Sequence, residues 1–260
     1  MTAFIAFKYE DCIQLLTDGA VYDHQGVLHR IMTKSFASKA LPFVVTGRGN
    51  LHMVEGICQA ASVFCDERGS VDDAVGFLEV AAARAGTRKT DLDKVFAHFE
   101  IVACGYSERL GFFTAMFVSN EMSGLPAFSL TMMGEQLVGA PDLNPSQQAE
   151  VVKMASETPM SDPAFLERHG VAIMEMMRLD MEGTVNMFHP DAAKCGSVVG
   201  GKCTLATVTK DGVTTRDLKR WDDAIGQRIN PFSSSPNVSI FGSKARYLTV
   251  NENHDGRKVI

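Results

Sequence analysis

The chain has 260 residues, 45% of them hydrophobic, and a formal net charge of −6. That length gives one large domain, or one domain with an extension, and the composition is ample for a sizeable core. The acidic balance argues against a nucleic-acid surface and against a basic membrane-binding face.

No apolar run approaches the length of a bilayer span. Lys8, Glu10 and Asp11 interrupt the N-terminal apolar stretch too early for a signal peptide. A cytoplasmic location is expected, with no membrane or nucleic-acid partner. The six cysteines, at positions 12, 58, 65, 104, 195 and 203, form no CxxC pair and sit mostly among apolar neighbours. Reduced core thiols fit that setting. The histidines are scattered without ligand spacing, so neither a metal nor a cofactor is expected.

Residues 2–8 and 12–17 read as two strands joined at Tyr9-Glu10-Asp11. The second runs through Leu15-Leu16-Thr17 into an acid at a turn, Asp18-Gly19. Residues 26–34 read as a third strand and residues 41–46 as a fourth, stopping at Gly47-Arg48-Gly49-Asn50. Asn50 is a helix N-cap candidate. Met53, Ile57, Ala60, Ala61 and Phe64 then recur at helical period, and Gly69 ends that helix. Ser70 and Asp73 open a second helix, with Val71, Ala74, Val75, Leu78, Ala81, Ala82 and Ala85 on its apolar face. Gly86 closes it.

Residues 87–98 read as a charged connector. Residues 101–105, 111–119 and 127–132 read as a meander of strands. Asn144-Pro145 and Asp162-Pro163 each place a cap before a proline, predicting helices to about residue 156 and about residue 181. The methionines at 174, 176, 177 and 181 are core filling first, with a methionine-lined groove as the alternative. Residues 204–213 read as β-branched strand entering an Asp-Gly turn. Beyond them come a charged stretch around Trp221, a loop at 230–237 and a short hairpin about Gly242.

Bottom-up, this is a mixed chain of strands, two helices, strands, two helices and strands. A sandwich with helices on its outer faces suits that order.

Three residues carry the chemistry. Asp18 and Lys34 stand 16 and 32 residues beyond Thr2. A threonine hydroxyl becomes a nucleophile only when a base takes its proton. A terminal α-amine titrates near 7.7–8.0 and can serve its own side chain, provided Thr2 becomes the first residue. A nearby lysine would favour the alkoxide, and an aspartate would hold that lysine charged.

With the run Cys195-Gly196-Ser197-Val198-Val199-Gly200-Gly201, which leads to the Lys210-Asp211-Gly212 turn, this triple resembles the proteasome β-subunit family. It resembles equally that family's bacterial relative, the peptidase subunit of the heat-shock ATP-dependent protease. Gln136 to Pro141 resembles the family's turn before its third helix.

The resemblance implies an α+β fold: a four-layer αββα N-terminal-nucleophile (Ntn) hydrolase sandwich over residues 1–213. Residues 214–260 would be a C-terminal extension that either packs on its own subunit or wraps a neighbour as an oligomer or assembly contact. It implies a threonine peptidase with Thr2 as nucleophile, Asp18 and Lys34 in support, and a Gly47 N–H in the oxyanion hole. Val21, Met32 and Val45 would line the pocket for an apolar side chain of a peptide substrate. A homo-oligomeric ring is the expected state, within a larger protein assembly.

At three accessory positions the chain departs from the active pattern, with Ala140, Gly196 and Val199 where polar groups are usual. The second reading is therefore a catalytically silent structural subunit. A small-amide hydrolase of the wider superfamily is the third.

Overall fold

The structure, a computed structural model, describes residues 3–23, 25–87, 99–119, 124–139, 141–179 and 197–232. It is an α+β protein with antiparallel sheets, and four helices lie within the described residues.

The first sheet holds five strands in the order β10-β1-β2-β11-β12. These are β1 (Phe4–Lys8), β2 (Ile13–Asp18), β10 (Gln136–Gly139), β11 (Lys202–Thr209) and β12 (Gly212–Arg220). The second holds β5 (Phe36–Ala37), β6 (Phe43–Gly49), β7 (Phe99–Ser107), β8 (Gly111–Val118) and β9 (Leu130–Met132), in sequence order. A separate hairpin pairs β3 (Ala20–Tyr22) with β4 (Leu28–Ile31). The helices are α1 (Leu51–Arg68), α2 (Val71–Thr87), α3 (Pro145–Glu157) and α4 (Ala164–Arg178).

Strand alternation explains the packing. Side chains on a strand point to opposite faces in turn. Phe4 and Ala6 of β1, Ile13 and Leu15 of β2, and Ala206 and Val208 of β11 form one cluster with Val44, Val102, Met116 and Val118 of the other sheet. The intervening residues Ile5, Phe7, Leu16, Cys203 and Leu205 face α3 and α4, packing with Met154, Phe165, Leu166 and Met174. In the second sheet Phe43, Val45, Ile101, Ala103 and Phe117 turn instead toward α1 and α2. Each sheet is apolar on both faces because each face meets a different partner.

The helix punctuation follows the sequence closely. The Asn50 side chain accepts the Met53 N–H at 3.1 Å, and Gly69 ends α1 in the left-handed region at φ 66°. Asn144 and Gln147 make a reciprocal capping box with Pro145 at the first helical position. The buried stripe of α1 is rotated from the expected one: Val54, Cys58, Ala61 and Cys65 are buried, and Ala60 is exposed. Cysteine behaves here as a small hydrophobe. The five described cysteines are free and buried, and burial pushes the thiols up, Cys65 to about 11 and Cys104 to about 12.

Three differences from the sequence expectation matter for the site. The strand expected over 26–34 is pairable only at Leu28–Ile31, so residues 32–35 leave the ladder. β6 does not stop at Gly47 but runs to Gly49, because Ile101, Glu100 and Phe99 of β7 pair with Gly47, Arg48 and Gly49. The segment expected to turn after Gln136 is strand β10, with Gly139 opposite Phe4. A Cβ on Gly139 would collide with the Phe4 ring. Of the two placements expected for the extension, the described residues beyond 213 take the first and pack on their own chain. β12 extends to Arg220, Trp221 joins the α4 core, and Ile229 packs with Ala20 and Leu28.

Among the described residues β12 is an edge strand with no buried position, carrying Arg216, Asp217, Lys219 and Arg220. The 87–98 connector beyond Thr87, Ala140, Met181, residues 192–196 and the hairpin about Gly242 lie outside the described residues.

Trp221 is 6% exposed. Trp221→Ala should lower the stability of the whole domain by about 3–5 kcal/mol, measured by urea unfolding followed by far-UV circular dichroism. An unchanged midpoint would make residues beyond 213 a detachable tail after all.

Candidate active site

Asp18 ends β2 and is fully buried. A buried carboxylate must have its oxygens satisfied. Its Oδ1 accepts the Lys34 ammonium at 2.9 Å and the Ala3 N–H at 3.0 Å. Its Oδ2 accepts the Ala20 N–H at 3.1 Å and the Gly200 N–H at 3.2 Å. The Asp18 N–H returns a bond to the Ala3 carbonyl at 3.1 Å. One side chain therefore ties together the starts of β1 and β3, the segment before β5, and the loop before β11.

Lys34 sits on the irregular segment between β4 and β5, and each residue before it is held. The Met32 N–H donates to the Gly19 carbonyl at 2.9 Å. The Thr33 hydroxyl accepts the Lys202 ammonium at 2.7 Å. The Lys34 carbonyl accepts the Thr46 hydroxyl at 2.8 Å. Lys202 also bonds both carboxylate oxygens of Asp217 at 3.0 Å. Burial pushes the Asp217 carboxyl up, but its bonds from Thr204 and Lys202 outweigh that and hold it below the ordinary value.

The side chain of Lys34 is 8% exposed. Burial pulls its ammonium below the ordinary lysine value, and Asp18 opposes that without cancelling it. A lysine tuned this way yields a proton more readily than a surface lysine.

A cleft of about 530 Å³, partly open to solvent, adjoins Lys34. Val21 and Met32 line it from the β3–β4 side, and Leu51 and Val54 from α1. Lys34 and Gly47 line it too. Arg30 and Glu55 pair at 2.7 Å, and Glu55 is part of the lining. Arg48, also in the lining, pairs with the buried Glu100.

The sequence-derived residues divide as follows. Asp18 and Lys34 are in direct contact, and Gly47, Val21 and Met32 share the cleft beside them. Val45 does not line it: the side chain is fully buried in the core under α1 and α2. Gly47 is not a turn glycine. It lies within β6, where a Cβ would meet the Glu100 carbonyl and the side chains of Val54 and Ile101. The positive φ, 109°, belongs to Gly49. Thr2 lies outside the described residues, but Ala3, whose nitrogen forms the peptide bond to Thr2, is bonded to Asp18 through both its N–H and its carbonyl.

Sequence reasoning did not single out Lys202, Asp217, Arg178 or Asp223. No local pattern marks them, since their partners lie far away in the chain. Gly200 was a landmark of the resemblance; its amide is a ligand of Asp18. Among the described residues no group of three or more His, Cys, Asp or Glu side chains forms a metal site.

Lys34→Met leaves the buried Asp18 without its cation and should cost about 3–5 kcal/mol near neutral pH. The pH dependence has a definite sign. Between the lowered folded value and the ordinary lysine value of 10.5, the unfolded chain binds a proton that the folded chain does not. Stability of the wild type relative to Lys34→Met therefore rises with pH across that window. Urea titrations of both proteins from neutral to about pH 10 check it, and a flat or shrinking difference contradicts the assignment. Compared with protein-family models and with curated proteins, the chain matches none.

Proposed function

We propose that this chain is a proteasome-like threonine peptidase, hydrolysing amide bonds through an acyl-enzyme. The observation that carries the reading is the Asp18 carboxylate, which binds the Lys34 ammonium and the Ala3 backbone together beside an apolar cleft. The three stacked cores support the finer fold, a four-layer αββα Ntn-hydrolase sandwich.

The reaction requires cleavage of the bond before Thr2. The freed α-amine then takes the proton of the Thr2 hydroxyl as the oxygen attacks the substrate carbonyl. The oxyanion that forms is stabilised by a Gly47 N–H. Collapse breaks the amide bond, and the amine passes its proton to the departing substrate nitrogen. A water, deprotonated by the same amine, attacks the resulting ester and frees the acid and the threonine. Lys34 lowers the cost of the negative charge on the Thr2 oxygen, and Asp18 fixes Lys34 in place. Val21 and Met32 favour an apolar side chain on the substrate. The working form is a cytoplasmic homo-oligomeric ring within a larger assembly.

A second reading has its own observation. Val199 is a fully buried valine packed in the α4 core, so position 199 brings no hydroxyl to the site. That favours a silent subunit that keeps the sandwich for building.

Intact mass and covalent labelling separate the two. The peptidase reading expects a chain beginning at Thr2 that is labelled once by a peptide epoxyketone. Labelling should vanish in Thr2→Ala and fall about a hundredfold or more in Lys34→Ala. A blocked Thr2 amine with no labelling would leave the structural reading.

A further inference from the structure

We propose that Arg178 and Asp223 are a positioning pair for the candidate site: acting across the Gly200-Gly201 loop, they fix the Asp18 carboxylate and through it Lys34. The catalytic consequence rests on the peptidase reading; the mechanical coupling does not.

Two buried ion pairs stand on opposite sides of a two-residue loop. The Asp18–Lys34 side chains are 0% and 8% exposed, and the Asp223–Arg178 side chains 2% and 4%. Consecutive amides of the loop serve the two carboxylates. The Gly200 N–H donates to Asp18 Oδ2 at 3.2 Å and the Gly201 N–H to Asp223 Oδ2 at 2.7 Å. Arg178, in the last turn of α4, grips Asp223 with both terminal nitrogens, at 2.8 and 2.5 Å. It also donates to the Val199 carbonyl at 2.9 Å.

The loop has no free space in which to absorb a shift. A Cβ on Gly200 would lie 2.7 Å from Asp223 Oδ2 and 2.9 Å from both an Arg178 nitrogen and Ile229. On the other side the Gly200 carbonyl accepts the Gly19 N–H at 3.0 Å, next to Asp18. The Trp221 ring lies 5.1 Å from the Arg178 guanidinium, and the Trp221 backbone N–H donates to the Gly201 carbonyl at 3.0 Å. The same C-terminal segment braces the cleft wall, since the Leu28 N–H donates to the Gln227 carbonyl at 2.8 Å and Ile229 packs on Ala20.

Stability alone does not call for this pair. Apolar residues of similar volume commonly replace a buried ion pair without loss. What they cannot replace is the acceptor for Gly201 and the charged donor to Val199, whose carbonyl would keep only the longer bond from the Ser197 hydroxyl. The pair therefore sets where the loop amides lie, and hence where Asp18 finds its fourth donor.

The test uses the full chain with Arg178→Met/Asp223→Leu, and the milder Asp223→Asn in case the double variant does not fold. The first measurement is the Lys34 titration midpoint, followed by NMR of its Nζ and Cε. Asp18 is the charge in contact with Lys34, while Arg48 and Glu55 share its cleft. A loosened Asp18 withdraws the attraction that keeps Lys34 protonated. The midpoint should fall by about half a pH unit or more. The second measurement is the rate of epoxyketone labelling at Thr2, which should drop about tenfold to a hundredfold.

A folded variant whose Lys34 midpoint is unchanged or raised overturns the proposal. If the wild type takes no label but the midpoint falls in the variant, the coupling stands and the peptidase reading is the one that fails. A merely structural role would lower the melting temperature and leave the midpoint of folded protein where it was.

Discussion

A carboxylate without access to water has to be surrounded by donors, and Asp18 recruits four of them from four separate stretches of chain. Three are backbone amides, fixed by the strands and the loop that carry them. The fourth is an ammonium on a long flexible stem. Charge-assisted bonds of this kind are the strong ones, and losing any one leaves part of a buried charge uncompensated. The end of β2 is thus the point where the N-terminal strand, the β3–β4 hairpin, the segment before β5 and the loop before β11 are registered against one another. Both the peptidase and the structural readings need that registration. Only the peptidase reading also needs the cation for its chemistry.

Much of this was legible in the chain because it is local. Asn50, Gly69, Asn144 and Pro145 punctuate helices through bonds to residues only a few positions away. The alternation in β1 and β2 is equally local, though the sequence could not say which alternate set faces a sheet and which a helix. Asp18 and Lys34 were found through their separation from Thr2, which depends on a resemblance rather than on any periodicity. The contact between them agrees with that spacing.

What was not legible depends on distant partners. β6 continues through two glycines because β7, fifty residues on, supplies its ladder. β10 forms because β1 has a free edge to pair, and Gly139 suits it because the Phe4 ring fills the space a side chain would take. Val45 went to the helix-side core because strand alternation, with Val44 facing the other sheet, leaves it no other face. Trp221 looked like part of an extension because its neighbours are charged. Yet one of those neighbours, Asp223, is neutralised by Arg178 of α4, whose guanidinium lies over the Trp221 ring.

The outer margin of the first sheet has one more consequence. Among the described residues no strand lies beyond β12, and its side chains include two arginines, a lysine and an aspartate. Charges so arranged discourage another strand from adding to the ladder. At that border the charges would therefore keep two copies of this molecule from fusing into a continuous sheet.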